Sequence, residues 1–145
     1  MAIIQLLTSF FGSLGFALVF NVRQKNLLPC AMGGVLCCGV YLLFSECMTT
    51  HIFLANLAAG VACQIYAEIL ARLFKSPATV FYITALIPMI PGGALYHTMD
   101  AAVSRDWQLF RYYGTQTIYT TLGLAIGISL VSGILHLALQ KHKKI

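Results

Sequence analysis

Acidic residues are what this chain has least of. It carries four in 145 positions, Glu46, Glu68, Asp100 and Asp106, against nine Lys and Arg. Charged residues make up 9% of the sequence, where a soluble domain holds about a quarter, so a water-soluble fold is excluded. The four acids are also too dispersed to form a paired-carboxylate site. There is no H-E-x-x-H, no G-x-S-x-G and no Walker loop, which removes the common metalloprotease, hydrolase and nucleotide-binding readings. We therefore expect no enzyme. The five cysteines include no C-x-x-C pair, and none has a His at ligand spacing. Cys30, Cys37, Cys38 and Cys63 are expected as small buried hydrophobes, with no metal or other cofactor. The net charge of +5 is scattered in ones and twos instead of forming a basic patch, which argues against nucleic acid as a partner. No positive segment precedes the first apolar run, and Arg23 and Lys25 follow it. That run is expected to stay attached as a span and not to leave as a signal peptide.

Hydrophobic residues fill the space that charge leaves, at 59% of the chain with a mean hydropathy of +0.84. Crossing about 30 Å of hydrocarbon takes about 20 helical residues, and apolar runs recur at that length. The pattern predicts an all-α integral membrane protein, residues 1–145 forming a single transmembrane domain. Five transmembrane helices fit, over about residues 2–20, 29–46, 51–71, 78–99 and 115–139. Seven of the nine basic residues fall on one side of such a bundle: Arg23, Lys25, Arg72, Lys75 and the tail lysines 141, 143 and 144. That side is expected to be cytoplasmic, with the N-terminus outside and the C-terminus inside. The link after the fourth span, "AAVSRDWQLFRYYG", places Val103, Trp107 and Phe110 at helical spacing and predicts a short interfacial helix with its rings among lipid headgroups. Small residues in "SFFGSLG", "GGVLCCG" and at Gly123 and Gly127 predict close helix contacts.

The fourth span breaks its own pattern. "LIPMIPGGALYHTMD" puts Pro88, Pro91, Gly92 and Gly93 into an apolar run, although an interior Pro costs a helix about 3 kcal/mol and a Gly about 1 kcal/mol. Pro88 and Pro91 offer no N–H to Thr84 and Ile87, and the N–H groups of Gly92, Gly93 and Ala94 open a new half-helix. Bare donors and acceptors at membrane depth are tolerated only inside protein or beside a watery cavity. Discontinuous helices of this type hold anionic groups at transporter sites, and glycine lets a ligand reach the backbone. The expectation is a carboxylate seat formed by Pro88, Pro91, Gly92 and Gly93, with Tyr96 one turn on; the alternative is a plain kink filled by a neighbouring helix.

Further polar residues are candidates for proton coupling or for lining a cavity. His97 and Asp100 follow Tyr96; the alternative for the Tyr–His pair is a place at the outer headgroups. On the third span Asn56, Gly60, Gln64, Glu68 and Arg72 recur every four residues and share one side. Glu68 is expected to pair with Arg72, and Asn56 and Gln64 to join helices or line a cavity. Ser129, Ser132 and His136 form a weaker face on the fifth span.

With "GFALVFNV" at 15–22, "ARLFKSPATVF" at 71–81 and above all "ALIPMIPGGALYHTM" at 85–99, the chain resembles the small, second-half subunit of the threonine/serine exporter family. Asn21 stands at the "FN" position and is a further candidate for proton coupling or for lining a cavity. The resemblance implies an exporter of threonine and serine in the bacterial inner membrane, with dicarboxylates such as succinate as the alternative cargo of some two-subunit members. It also implies a separately encoded large subunit, and thus a hetero-oligomer in lipid. A non-transporting subunit that stabilises the large half is the alternative role.

Overall fold

The computed structural model describes residues 2–47 and 51–142, and every regular element among them is helical. The order is α1 (Ala2–Val19), α2 (Gln24–Cys47), α3 (Ile52–Phe74), α4 (Ala78–Leu86), one 3₁₀ turn (Ile87–Met89), α5 (Gly92–Val103) and α6 (Trp107–His142). Four helices are long and apolar enough to cross a membrane, or five if α4 and α5 count as one bent span. The protein is a multi-pass membrane protein. The tail lysines fall outside the described side chains.

Helix ends follow local chemistry. α1 stops because Asn21 adopts a left-handed φ of 52°, while the N–H of Asn21 reaches the Leu18 carbonyl and that of Val22 the Ala17 carbonyl. This is a Schellman cap, and Asn accepts its left-handed position more readily than most residues. α5 ends in the same way on Arg105, at φ 57°, with Asp106 N–H bonded to the Ala101 carbonyl. Asp106 then starts α6, its Oδ1 accepting from the N–H of Gln108 and Leu109 at 3.1 Å each. The expected polar link therefore shrinks to Ser104–Asp106. The aromatic stretch from Trp107 to Tyr113 is not a separate interfacial helix but the beginning of α6, because the Asp106 cap lets the last span begin eight residues earlier than its apolar run. α2 likewise begins at Gln24, ahead of Pro29, which sits in its second turn.

Packing rests on small residues. Ser9, Ser13 and Ala17 form the buried stripe of α1, and a Cβ on Gly34 of α2 would collide with the Ser13 side chain. α3 and α6 run parallel at backbone contact: Cβ atoms on Gly123 and Gly127 would lie 2.6 Å and 2.5 Å from the carbonyl oxygens of Phe53 and Leu57. Cys30, Cys37 and Cys63 are buried. They sit among Ala, Phe81 and Leu124 in two apolar clusters. Such closeness suits a membrane, where packing and not water exclusion holds helices together.

α5 differs from the rest. Its helix neighbour is α6 alone, whereas α4 touches α1, α2 and α3. α6 has 36 residues, about 54 Å of helix; its closest backbone approach to the start of α3 is at Gly123, and its first turns run on beyond that start. Its first half and α5 thus form a hairpin arm that leaves the main bundle.

Candidate functional site

α4 and α5 meet at an angle of 50°. The break begins with the 3₁₀ turn, in which Ile90 N–H returns to the Ile87 carbonyl at 3.2 Å. Ile90 is extended, with ψ 128°, as the residue before Pro91 must be. Gly92 N–H then turns back onto the Ile90 carbonyl at 2.7 Å. Two expectations are corrected here: the Ile87 carbonyl is not left bare by Pro91, and Gly92 N–H is not free. The free donors are narrower than the sequence suggested. Leu95 N–H already bonds to Pro91, so the N–H groups of Gly93 and Ala94 are the ones without an acceptor among the described hydrogen bonds. They point back along the α5 axis toward the break, at its positive end.

Beside this end lies a cavity of about 260 Å³. The break contributes Pro88, Met89 and Pro91, and α5 contributes Ala94. Tyr41 of α2, Asn56 of α3, and Gln116 and Thr120 of α6 complete the wall. Asn56 is 1% exposed; its Nδ2 donates to the Ile52 carbonyl at 2.8 Å, and its Oδ1 has no partner. Such an oxygen costs about 1–3 kcal/mol when buried and unpaired, so its presence beside a polar cavity calls for a donor.

The structure brings Pro88, Pro91 and Asn56 together around one space. Gly92 and Gly93 adjoin it but face outward, and a Cβ on either would meet nothing within 4 Å. Tyr96, His97 and Asp100 are exposed on the arm and do not line the cavity. The His97 ring stacks on Tyr113 at 5.0 Å and meets Tyr96 edge-on at 5.4 Å. Asn21 stands apart at the other end of α1 as its cap. Gln64 is buried, and its Nε2 donates to Glu68 Oε1 at 3.3 Å. This replaces the expected Glu68–Arg72 ion pair, which is not formed among the described residues; both side chains instead border an apolar groove between α3 and α6. Ser129 and Ser132 are exposed, and the His136 side chain lies outside the described part.

Sequence reasoning missed Tyr41, Gln116 and Thr120. Gln116 and Thr120 stand at i, i+4 on α6, a face that was legible in principle. Thr115, Thr117 and Thr121 bond the carbonyl four residues back, whereas Thr120 makes no such bond among the described residues.

The family model for the Threonine/Serine exporter, ThrE, matches residues 5–134, nearly the whole chain and all of the broken span. The chain belongs to that family. It is accordingly a membrane transporter of the threonine/serine exporter type. No solved structure matches it. The cavity at the broken span combines a helix start with unbonded backbone donors, an unpaired amide oxygen and walls of mixed polar and apolar side chains. Its volume is below the range of about 300–1,000 Å³ typical for drug-sized ligands and suits a metabolite of a few heavy atoms.

Proposed function

We propose that this chain is the small subunit of a two-component secondary exporter, and that the cavity at the broken fourth span seats the carboxylate of a threonine or serine on its way out of the cell. The observation that carries this reading is that Pro88, Pro91 and Ala94 line one cavity with Asn56, at the start of α5 where the Gly93 and Ala94 N–H groups have no acceptor among the described hydrogen bonds. A carboxylate there gains two backbone hydrogen bonds and the positive end of α5. The site has walls from α2, α3, α5 and α6, while the Gly92 and Gly93 side of α5 is uncovered. A large subunit with a complementary set of spans supplies the missing wall, and substrate moves as the two halves rock about the site. Arg23, Lys25, Arg72 and Lys75 lie at one end of the bundle, near the α1–α2 and α3–α4 turns, which supports a cytoplasmic assignment for that end in a bacterial inner membrane. Glu68, held by Gln64 and bordering the α3–α6 groove, is our candidate for proton coupling.

The test is efflux of threonine, serine and succinate from preloaded cells carrying this chain, its large partner, or both. Faster threonine or serine efflux only with both chains is the expected result. Succinate efflux alone assigns the dicarboxylate cargo instead. Full efflux from the large partner alone reduces this chain to an assembly role. Glu68→Gln should abolish stimulation by an imposed pH gradient, with the complex intact; unchanged stimulation removes Glu68 from coupling.

A further inference from the structure

The cavity walls differ in what they can recognise. Tyr41, Gln116 and Thr120 each carry both a donor and an acceptor, so they can turn to suit either kind of ligand. Asn56 cannot. Its Nδ2 is held by the Ile52 carbonyl at 2.8 Å, and flipping the amide would set oxygen against oxygen. Oδ1 is therefore fixed as an acceptor, buried and without a partner. Gly93 and Ala94 N–H are fixed as donors at the break. A seat with fixed donors on one side and a fixed acceptor on another is matched to a molecule bearing both senses of group.

We propose that Asn56 is the residue that selects an amino acid over a dicarboxylate: its Oδ1 receives the α-ammonium while the Gly93 and Ala94 N–H groups receive the α-carboxylate. The inference rests on the site reading above and adds a residue and a discrimination to it. A dicarboxylate presents acceptors at both ends: its second carboxylate can draw on the donors of Tyr41, Gln116 or Thr120, but Asn56 Oδ1 stays unpaired beside it. The amide oxygen is closed off from water, and Met89 lies in the same wall. Met89, unbranched, is the most adaptable apolar side chain of that wall, and an ammonium reaches the oxygen only as the wall gives way. An uncharged acceptor also makes the discrimination one of hydrogen-bond sense and not of net charge.

The test uses the full chain purified with its large partner and measures binding of labelled threonine, with 3-hydroxybutyrate and succinate as competitors. 3-Hydroxybutyrate keeps the carboxylate and hydroxyl and lacks the ammonium. In the native complex both competitors should bind at least about tenfold more weakly than threonine, since a hydrogen bond to a charged group is lost. Asn56→Leu should weaken threonine by about tenfold or more and leave 3-hydroxybutyrate unchanged. Asn56→Asp should keep threonine and weaken succinate further. Equal losses for threonine and 3-hydroxybutyrate, or undiminished threonine binding by Asn56→Leu, overturn the assignment while leaving the site in place. If Asn56→Leu does not assemble, the threonine-to-succinate ratio of Asn56→Asp decides, and a ratio that fails to rise overturns it. A native complex that binds none of the three ligands overturns the site reading itself and this inference with it.

Discussion

Gly60, Gly123 and Gly127 on one hand, and Gly92 and Gly93 on the other, are the same residue in opposite settings. At the α3–α6 seam a Cβ on any of the first three would fall 2.5–2.8 Å from a backbone oxygen of the facing helix. At the start of α5 nothing lies within 4 Å of either position. The seam glycines are explained by this chain alone: they set the distance between two helices. The α5 glycines are not, because Ala would fit sterically and would favour the helix by up to about 1 kcal/mol each. In the proposed reading, the open space beside them is where a ligand or a second wall would come.

The comparison breaks if the two sets respond alike. The largest effect is expected from Gly127→Ala, which forces backbone apart at the seam and should cost about 1–3 kcal/mol, read as a fall in melting temperature of the purified chain. Asn21→Val, at a left-handed cap in the packed region, should cost about 1–2 kcal/mol, whereas Asn21→Gly should be nearly neutral in the same melt. In the arm, Asp106→Ala removes the α6 cap and should cost about 1 kcal/mol; hydrogen exchange at Gln108 and Leu109 would show whether the loss is local. Gly93→Ala comes last in stability, unchanged or raised by less than about 1 kcal/mol, yet it should lower threonine efflux with the complex intact. An unchanged flux would return the α5 glycines to mere tolerance.

Apolar run length made most spans legible: α1 and α3 begin or end within a few residues of expectation, and the break in the fourth span was written in Pro88 and Pro91. The fifth span was misjudged at its start because its first turns are aromatic and polar, and one carboxylate, Asp106, decided the boundary. At the site, Pro88, Pro91 and Asn56 were found from composition and helical period. Tyr41, Gln116 and Thr120 were not, because their meeting depends on the 50° angle at the break and on the parallel docking of α6 along α3. Neither property is local in sequence. Tyr96, His97 and Asp100 share α5 with Ala94 of the cavity but stand on its exposed side.

α6 runs from Trp107 to His142 without interruption. The same rod carries Gln116 and Thr120 at the cavity and, further along, Val131 and Leu135 against Glu68 and Arg72. A helix free of Pro has no built-in kink, so the cavity and the groove beside Glu68 are joined by one unbroken rod. The glycine contacts at Gly123 and Gly127 fall between the two stations.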